Sequence, residues 1–136
     1  MFFNKKSNDE NSDLVKIAAL LIHAAKIDEN YTDHEEKIIK KTLLELGAKI
    51  ENLENLLTNA KKIEDNANQI LDFTKEVKNM HQENKIKIIE SLWQIIYSNK
   101  EADIYETGLM RRLAGLLYID NKTMGDIKDK IKKANT

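Results

Sequence analysis

The chain is predicted to be a single all-α domain of about seven helices, in which a three-helix unit occurs twice around a connector helix. Three observations predict this. Its 136 residues contain no Pro and only four Gly, so helix breakers are scarce. Apolar residues recur at i, i+3, i+4 and i+7 along successive stretches. A shift of 71 residues lays the second half's apolar pattern on the first, pairing Val15 with Ile86, Ala18 with Ile89, Leu21 with Leu92, Ile22 with Trp93, Ala25 with Ile96, Ile38 with Leu109, Ile39 with Met110 and Leu46 with Leu117. A shared register suggests two copies of one packing unit, buried face to face about a pseudo-twofold.

Residues 1–12 read as a flexible leader because polar and charged side chains fill positions 4–12. The helical domain spans residues 13–135, with repeats at about 14–65 and 85–135 and a connector at about 69–80. Leu14, Ile17, Ala18, Leu21, Ile22 and Ala25 mark the first helix, with Ser12 or Asp13 as a candidate N-cap. The second runs from about Asp33 to Leu46 with Ile38, Ile39, Leu43 and Leu46 inward, and Gly47 suits the left-handed residue that closes it. Leu53, Leu56, Leu57, Ala60 and Ile63 give a third helix, and Ile70, Phe73, Val77 and Met80 a shorter fourth. Ile86, Ile89, Leu92, Trp93 and Ile96 open the second copy. A sixth helix from Tyr105 through Leu117 buries Leu109, Met110, Leu113 and Leu117, with Gly108 and Gly115 offering room for a close neighbour. Asp120 caps the last helix, whose Met124, Ile127 and Ile131 fall on Leu53, Leu56 and Ala60 under the same shift.

Composition narrows the function. With no Cys, disulfides, thiolate zinc sites and thiol nucleophiles are excluded. The net charge of −1 sets up no global field that would gather nucleic acid, so no nucleic-acid partner is expected. The distribution is uneven all the same: residues 1–84 carry 12 Lys against 16 acids, and residues 85–136 carry 10 Lys and Arg against 7 acids. No stretch has the roughly 20 apolar residues of a membrane span or the h-region of a signal peptide, so a cytoplasmic protein is expected, with peripheral membrane association left open.

Chemistry is concentrated at the two turns that join the first and second helices of each unit. Thr32-Asp33-His34-Glu35 has the capping-box spacing, and Asp103-Ile104-Tyr105-Glu106 repeats the offset with Asp as the cap. Capping accounts for Glu35 and Glu106 but not for Asp28, a carboxylate at the negative end of the first helix. A divalent cation, Ca²⁺ or Mg²⁺, held by oxygens of Asp28, Asp33 and Glu35 would offset that charge, as would a loop amide or a Lys bonded to Asp28. Asn99, Asp103 and Glu106 form the poorer second set, because Asn99 stands where the first turn has Asp28. Neither turn has the central Gly or the length of an EF-hand loop. Glu29, Glu36, Tyr97 and Tyr105 flank the turns and are the expected contacts for a protein partner, with Tyr97 and Tyr105 partly exposed. Trp93 reads as core, from its register with Leu92 and Ile96. His23, His34 and His81 share no metal-ligand spacing.

The run Leu92-Trp93-Gln94-Ile95-Ile96-Tyr97-Ser98-Asn99-Lys100-Glu101-Ala102-Asp103-Ile104-Tyr105-Glu106, followed by Arg111-Arg112-Leu113-Ala114-Gly115-Leu116-Leu117, resembles the second half of the tellurite-resistance TerB family. Ile27-Asp28 through Glu35 is similar to that family's earlier acidic element, and Asp72-Phe73-Thr74 to a segment between the two. Glu29 and Lys100 stand where the family usually has Gly, and Asn99 where it has Asp. The resemblance, over about residues 14–119, implies one all-helical domain without known catalysis and a role in metal-ion sensing or chemical stress, with Asp28, Glu35, Asn99 and Glu106 as its functional positions. Three functions are thereby carried forward: a partner-binding module with a cation at its acidic turn, a structural or adaptor module whose acids only cap helices, and a hydrolase using paired carboxylates. The last lacks any nucleophile elbow, P-loop or Gly-rich phosphate cradle.

Overall fold

The computed structural model describes residues 2–26, 32–66, 71–98 and 104–134. Seven α-helices follow in order: α1 (Phe2–Ala25), α2 (Asp33–Glu45), α3 (Leu53–Asn66), entered through a 3-10 turn at Ile50–Asn52, α4 (Leu71–Lys78), α5 (Gln82–Tyr97), α6 (Ile104–Leu116) and α7 (Asn121–Ala134). Among the described residues there is no strand. The first helix begins at Phe2, so the segment read as a leader continues α1 and neither Ser12 nor Asp13 caps it. Nothing between Phe2 and Ala25 is Pro or Gly, and elongating a formed helix costs far less than nucleating a new one.

The core is organised by two helices buried on nearly every side. In α1, Ile17, Ala18, Ala19, Leu20, Leu21, Ile22, Ala24 and Ala25 are all at 1% exposure or less, and in α5 the same holds for Ile88, Ile89, Leu92, Ile95 and Ile96. A helix apolar all round sits in the middle of a bundle. Helix α1 packs on α2, α3, α4 and α5, while α5 also meets α2 and α7. Phe73 and Val77 of α4 close one side. Ile63, expected inward, lies at the exposed edge of α3, whose buried stripe ends at Ala60.

Local structure recurs at the 71-residue spacing. Helices α2 and α6 have 13 residues each and matching bounds. Both end in one bonding pattern: Gly47 N–H to Leu44 O (3.1 Å) and Ala48 N–H to Leu43 O (2.9 Å), then Tyr118 N–H to Gly115 O (3.4 Å) and Ile119 N–H to Ala114 O (2.9 Å). This is the helix-ending bond pair that a left-handed residue makes possible. Gly47 takes φ 108, as its position predicted, and Tyr118 takes φ 58. The packing of these two helices differs, since α2 rests on α1 and α5 while α6 leans on α4. Gly108 and Gly115 have no close neighbour among the described residues: a Cβ on either would meet none of them within 4 Å. The helix spacing there is set by Met110, Leu113 and Leu117, which are buried.

Two polar links cross the core. The hydroxyls of Thr42 on α2 and Ser91 on α5 hydrogen-bond to each other, one donating, and the one that accepts is left to donate to the carbonyl four residues back in its own helix, Ile38 O or Lys87 O. Lys85, at 7% exposure, donates from Nζ to Leu117 O at 3.0 Å, joining the start of α5 to the end of α6. A cation suits that place, because the last carbonyls of a helix carry partial negative charge.

Candidate functional site

At the start of α2, Thr32 is extended (φ −99, ψ 164) and its hydroxyl accepts the Glu35 N–H at 3.2 Å. In return Glu35 Oε1 accepts the Thr32 N–H at 2.8 Å and its hydroxyl at 3.1 Å. The capping box read from the sequence is therefore complete, and it holds the Glu35 carboxylate at 1% exposure. Asp33 is exposed in the same turn. Glu36 is engaged within the molecule: Lys61 of α3 lies 3.2 Å from it and Lys40 lies 4.0 Å, with Lys40 also 3.1 Å from Glu54. Expected as a partner contact, Glu36 instead helps tie α2 to α3.

Asp28, Glu29, Asn99 and Asp103 lie outside the described residues, and so does the side chain of Tyr105 on α6. Glu106, in the first turn of α6, is 4% exposed and thus matches the burial of Glu35 at the 71-residue shift. Tyr97 departs from expectation. It is 5% exposed, stacked on Trp93 with ring centroids 5.8 Å apart and planes at 24°. Burial, and then the Asp129 carboxylate, push its hydroxyl above the ordinary 10.0. The reason is its phase: Tyr97 continues the Trp93 face of α5, one turn on, where the bundle still covers it. Trp93 is core as expected, at 2% exposure, with its indole N–H lacking a hydrogen-bond partner among the described residues. Among the described residues no group of three or more His, Cys, Asp and Glu is arranged to hold a metal ion.

With this geometry in view, the comparison with known families is decisive for kinship. The family model described as Tellurite resistance protein TerB matches residues 14–129. The chain belongs to the TerB family. The match begins within α1, takes in α2 to α6 and ends within α7. No curated protein and no solved structure matches the chain.

The TerB domain also assembles charged groups that sequence reasoning missed. Lys26, just past α1, lies 2.6 Å from Glu64 and 2.8 Å from Asp65, and His23 lies 3.4 Å from Glu64. The Asp65 and then the Glu64 hydrogen bonds hold the Lys26 ammonium above its ordinary 10.5. These pairs fasten the end of α1 to the end of α3 beside the first acidic turn. Their partners are about 40 residues apart, beyond the reach of any local spacing rule. Lys85 did leave a trace, since the 71-residue shift sets it against the buried Leu14. A Lys at a core register position signals a charge with an internal acceptor.

Proposed function

We propose that this TerB domain is a non-catalytic interaction module of a stress response, with a divalent cation, Ca²⁺ or Mg²⁺, at the loop between α1 and α2 beside the surface that meets a protein partner. The observation that carries the reading is Glu35: a carboxylate at 1% exposure, fixed through one oxygen by Thr32, at the border of a loop that brings Asp28 and Glu29 in sequence. A carboxylate already immobilised by its cap loses little further entropy on coordinating a hard cation. Asp28 and Asp33 supply the remaining side-chain oxygens, with Asn99, Asp103 and Glu106 as the lesser counterpart in what we read as a second copy of the unit. The stress setting rests on the family's description alone.

A structural or adaptor role without an ion is the second reading, favoured by the completed capping box, which gives Glu35 a task of its own. Calorimetric titration with CaCl₂ and MgCl₂ separates the two. Heat and a raised melting temperature for the wild type, both lost in Asp28→Asn, support the ion, because Asp28 takes no part in the box. Absence of heat and of any melting shift in the wild type removes the ion and leaves the structural reading. For the partner surface, Asp33→Lys and Glu29→Lys leave the box intact and should release proteins that the wild type retains from its own cell extract. A retained set identical for all three would count against an acidic docking edge.

A further inference from the structure

The end of α6 poses a physical question that the acidic turns do not answer. Tyr118 is the one non-glycine residue with positive φ among the described residues. An L side chain is strained there, and the same bend after α2 is made by Gly47 with equivalent cap bonds. The bend therefore has no need of a tyrosine. The core does not need it either, for Tyr118 is 71% exposed. Lys78 and Lys85 each place Nζ 5.9 Å from its ring centroid, near the outer limit of a useful cation–π contact, so these repay little of the strain. A strained residue with its ring held outward calls for a task at the surface.

The surroundings indicate the task. Tyr118 stands at a cleft of about 400 Å³ together with Thr74, Lys75, Lys78, Gly115 and Leu116. That volume lies in the range of small-molecule sites. Lys75 and Lys78, three residues apart on α4, share a face, and no carboxylate lines the cleft among the described residues. Lysine ammoniums serve as point-charge binders of phosphate, and an exposed aromatic ring stacks on any flat base. Gly115 leaves the cleft open, since a Cβ on it would meet nothing within 4 Å.

We propose that this cleft binds a phosphorylated ligand carrying a planar aromatic ring, a nucleotide by class, with its phosphates on Lys75 and Lys78 and its ring against Tyr118. The site is separate from the acidic turns and stands or falls independently of a cation there. Magnesium-free ATP, adenosine, tripolyphosphate and an octaglutamate peptide are titrated calorimetrically at low salt into the full chain. ATP binds at least about tenfold more tightly than the other three, and Lys75→Ala/Lys78→Ala weakens it at least about tenfold. Gly115→Leu, which fills the cleft, and Tyr118→Asn each weaken ATP by about fivefold or more. Tyr118→Asn also melts no lower than the wild type, because Asn tolerates the left-handed region. Absence of ATP binding, equal affinity for tripolyphosphate or octaglutamate, or full ATP affinity in Tyr118→Asn overturns the proposal.

Discussion

Removing the Thr32 hydroxyl tests whether Glu35 is held by its cap. Thr32→Ala deletes the bond from the Glu35 N–H (3.2 Å) and one of the two donors to Glu35 Oε1 (3.1 Å), leaving the Thr32 N–H at 2.8 Å. Loss of an N-cap costs about 1 kcal/mol. Thinning the hydrogen bonding of a carboxylate at 1% exposure adds up to about 1 kcal/mol more. The sum of about 1–2 kcal/mol corresponds, for a chain of this size, to a fall of about 3–6 °C in melting temperature. Glu35→Gln keeps an acceptor at the third helical position, forfeits the interaction of its charge with the helix dipole, and costs at least about 0.3–1 kcal/mol. Urea unfolding followed by far-ultraviolet circular dichroism in EDTA measures both, and the double variant gives their coupling, expected above about 0.5 kcal/mol. On the proposed cation reading, calcium at 100 times its wild-type dissociation constant stabilises the wild type by about 2.7 kcal/mol and Glu35→Gln by less. A neutral Thr32→Ala, or zero coupling, would refute the argument that the box holds Glu35 in place.

Other expectations follow from the same structure. Gly108→Ala stabilises by about 0.5–1 kcal/mol, since the added methyl lies inside α6 and meets none of the described residues within 4 Å; Gly47→Ala, at φ 108, destabilises in the same urea assay. Leu21→Ala, at 0% exposure in the C-terminal part of α1, costs about 2–5 kcal/mol and should leave m unchanged if unfolding stays two-state. Asp120 caps α7 by accepting the Thr123 N–H at 2.8 Å, and the Thr123 hydrogen bonds hold its carboxyl below the ordinary 3.8. A depressed carboxyl pKa contributes stability above the unfolded value and loses it as pH falls through the folded one. The melting-temperature gap between wild type and Asp120→Ala should therefore be full at neutral pH and close below about pH 3.8. A gap that persists at pH 2 would deny the carboxylate its capping role.

The capping box beside the first acidic turn could be read from the sequence. Thr32 and Glu35 form a complete box because both partners lie within one helical turn, where backbone geometry alone sets the distance. Glu106 is buried as Glu35 is, which the capping spacing did not foretell. The ion pair of Glu36 with Lys61 was not legible because Lys61 belongs to another helix. Tyr97 was misjudged because its neighbours in the folded chain, beyond Trp93, are not its neighbours in sequence.

What the amino-acid order determined by itself were the seven helices, the Gly47 bend, the Thr32 and Asp120 caps and most of the apolar stripes, all of them products of interactions within a few residues. Tertiary structure alone decided that α1 is enclosed on its second face too, with Ala19, Leu20 and Ala24 at 1% exposure or less, and that Lys85 reaches the end of α6. It also decided that Gly108 and Gly115 face open space and that Tyr118 keeps a strained backbone at the rim of a lysine-lined cleft. A helix reports its own periodicity, but which of its faces meets a neighbour depends on where distant segments pack, and close packing settles that for the whole chain at once.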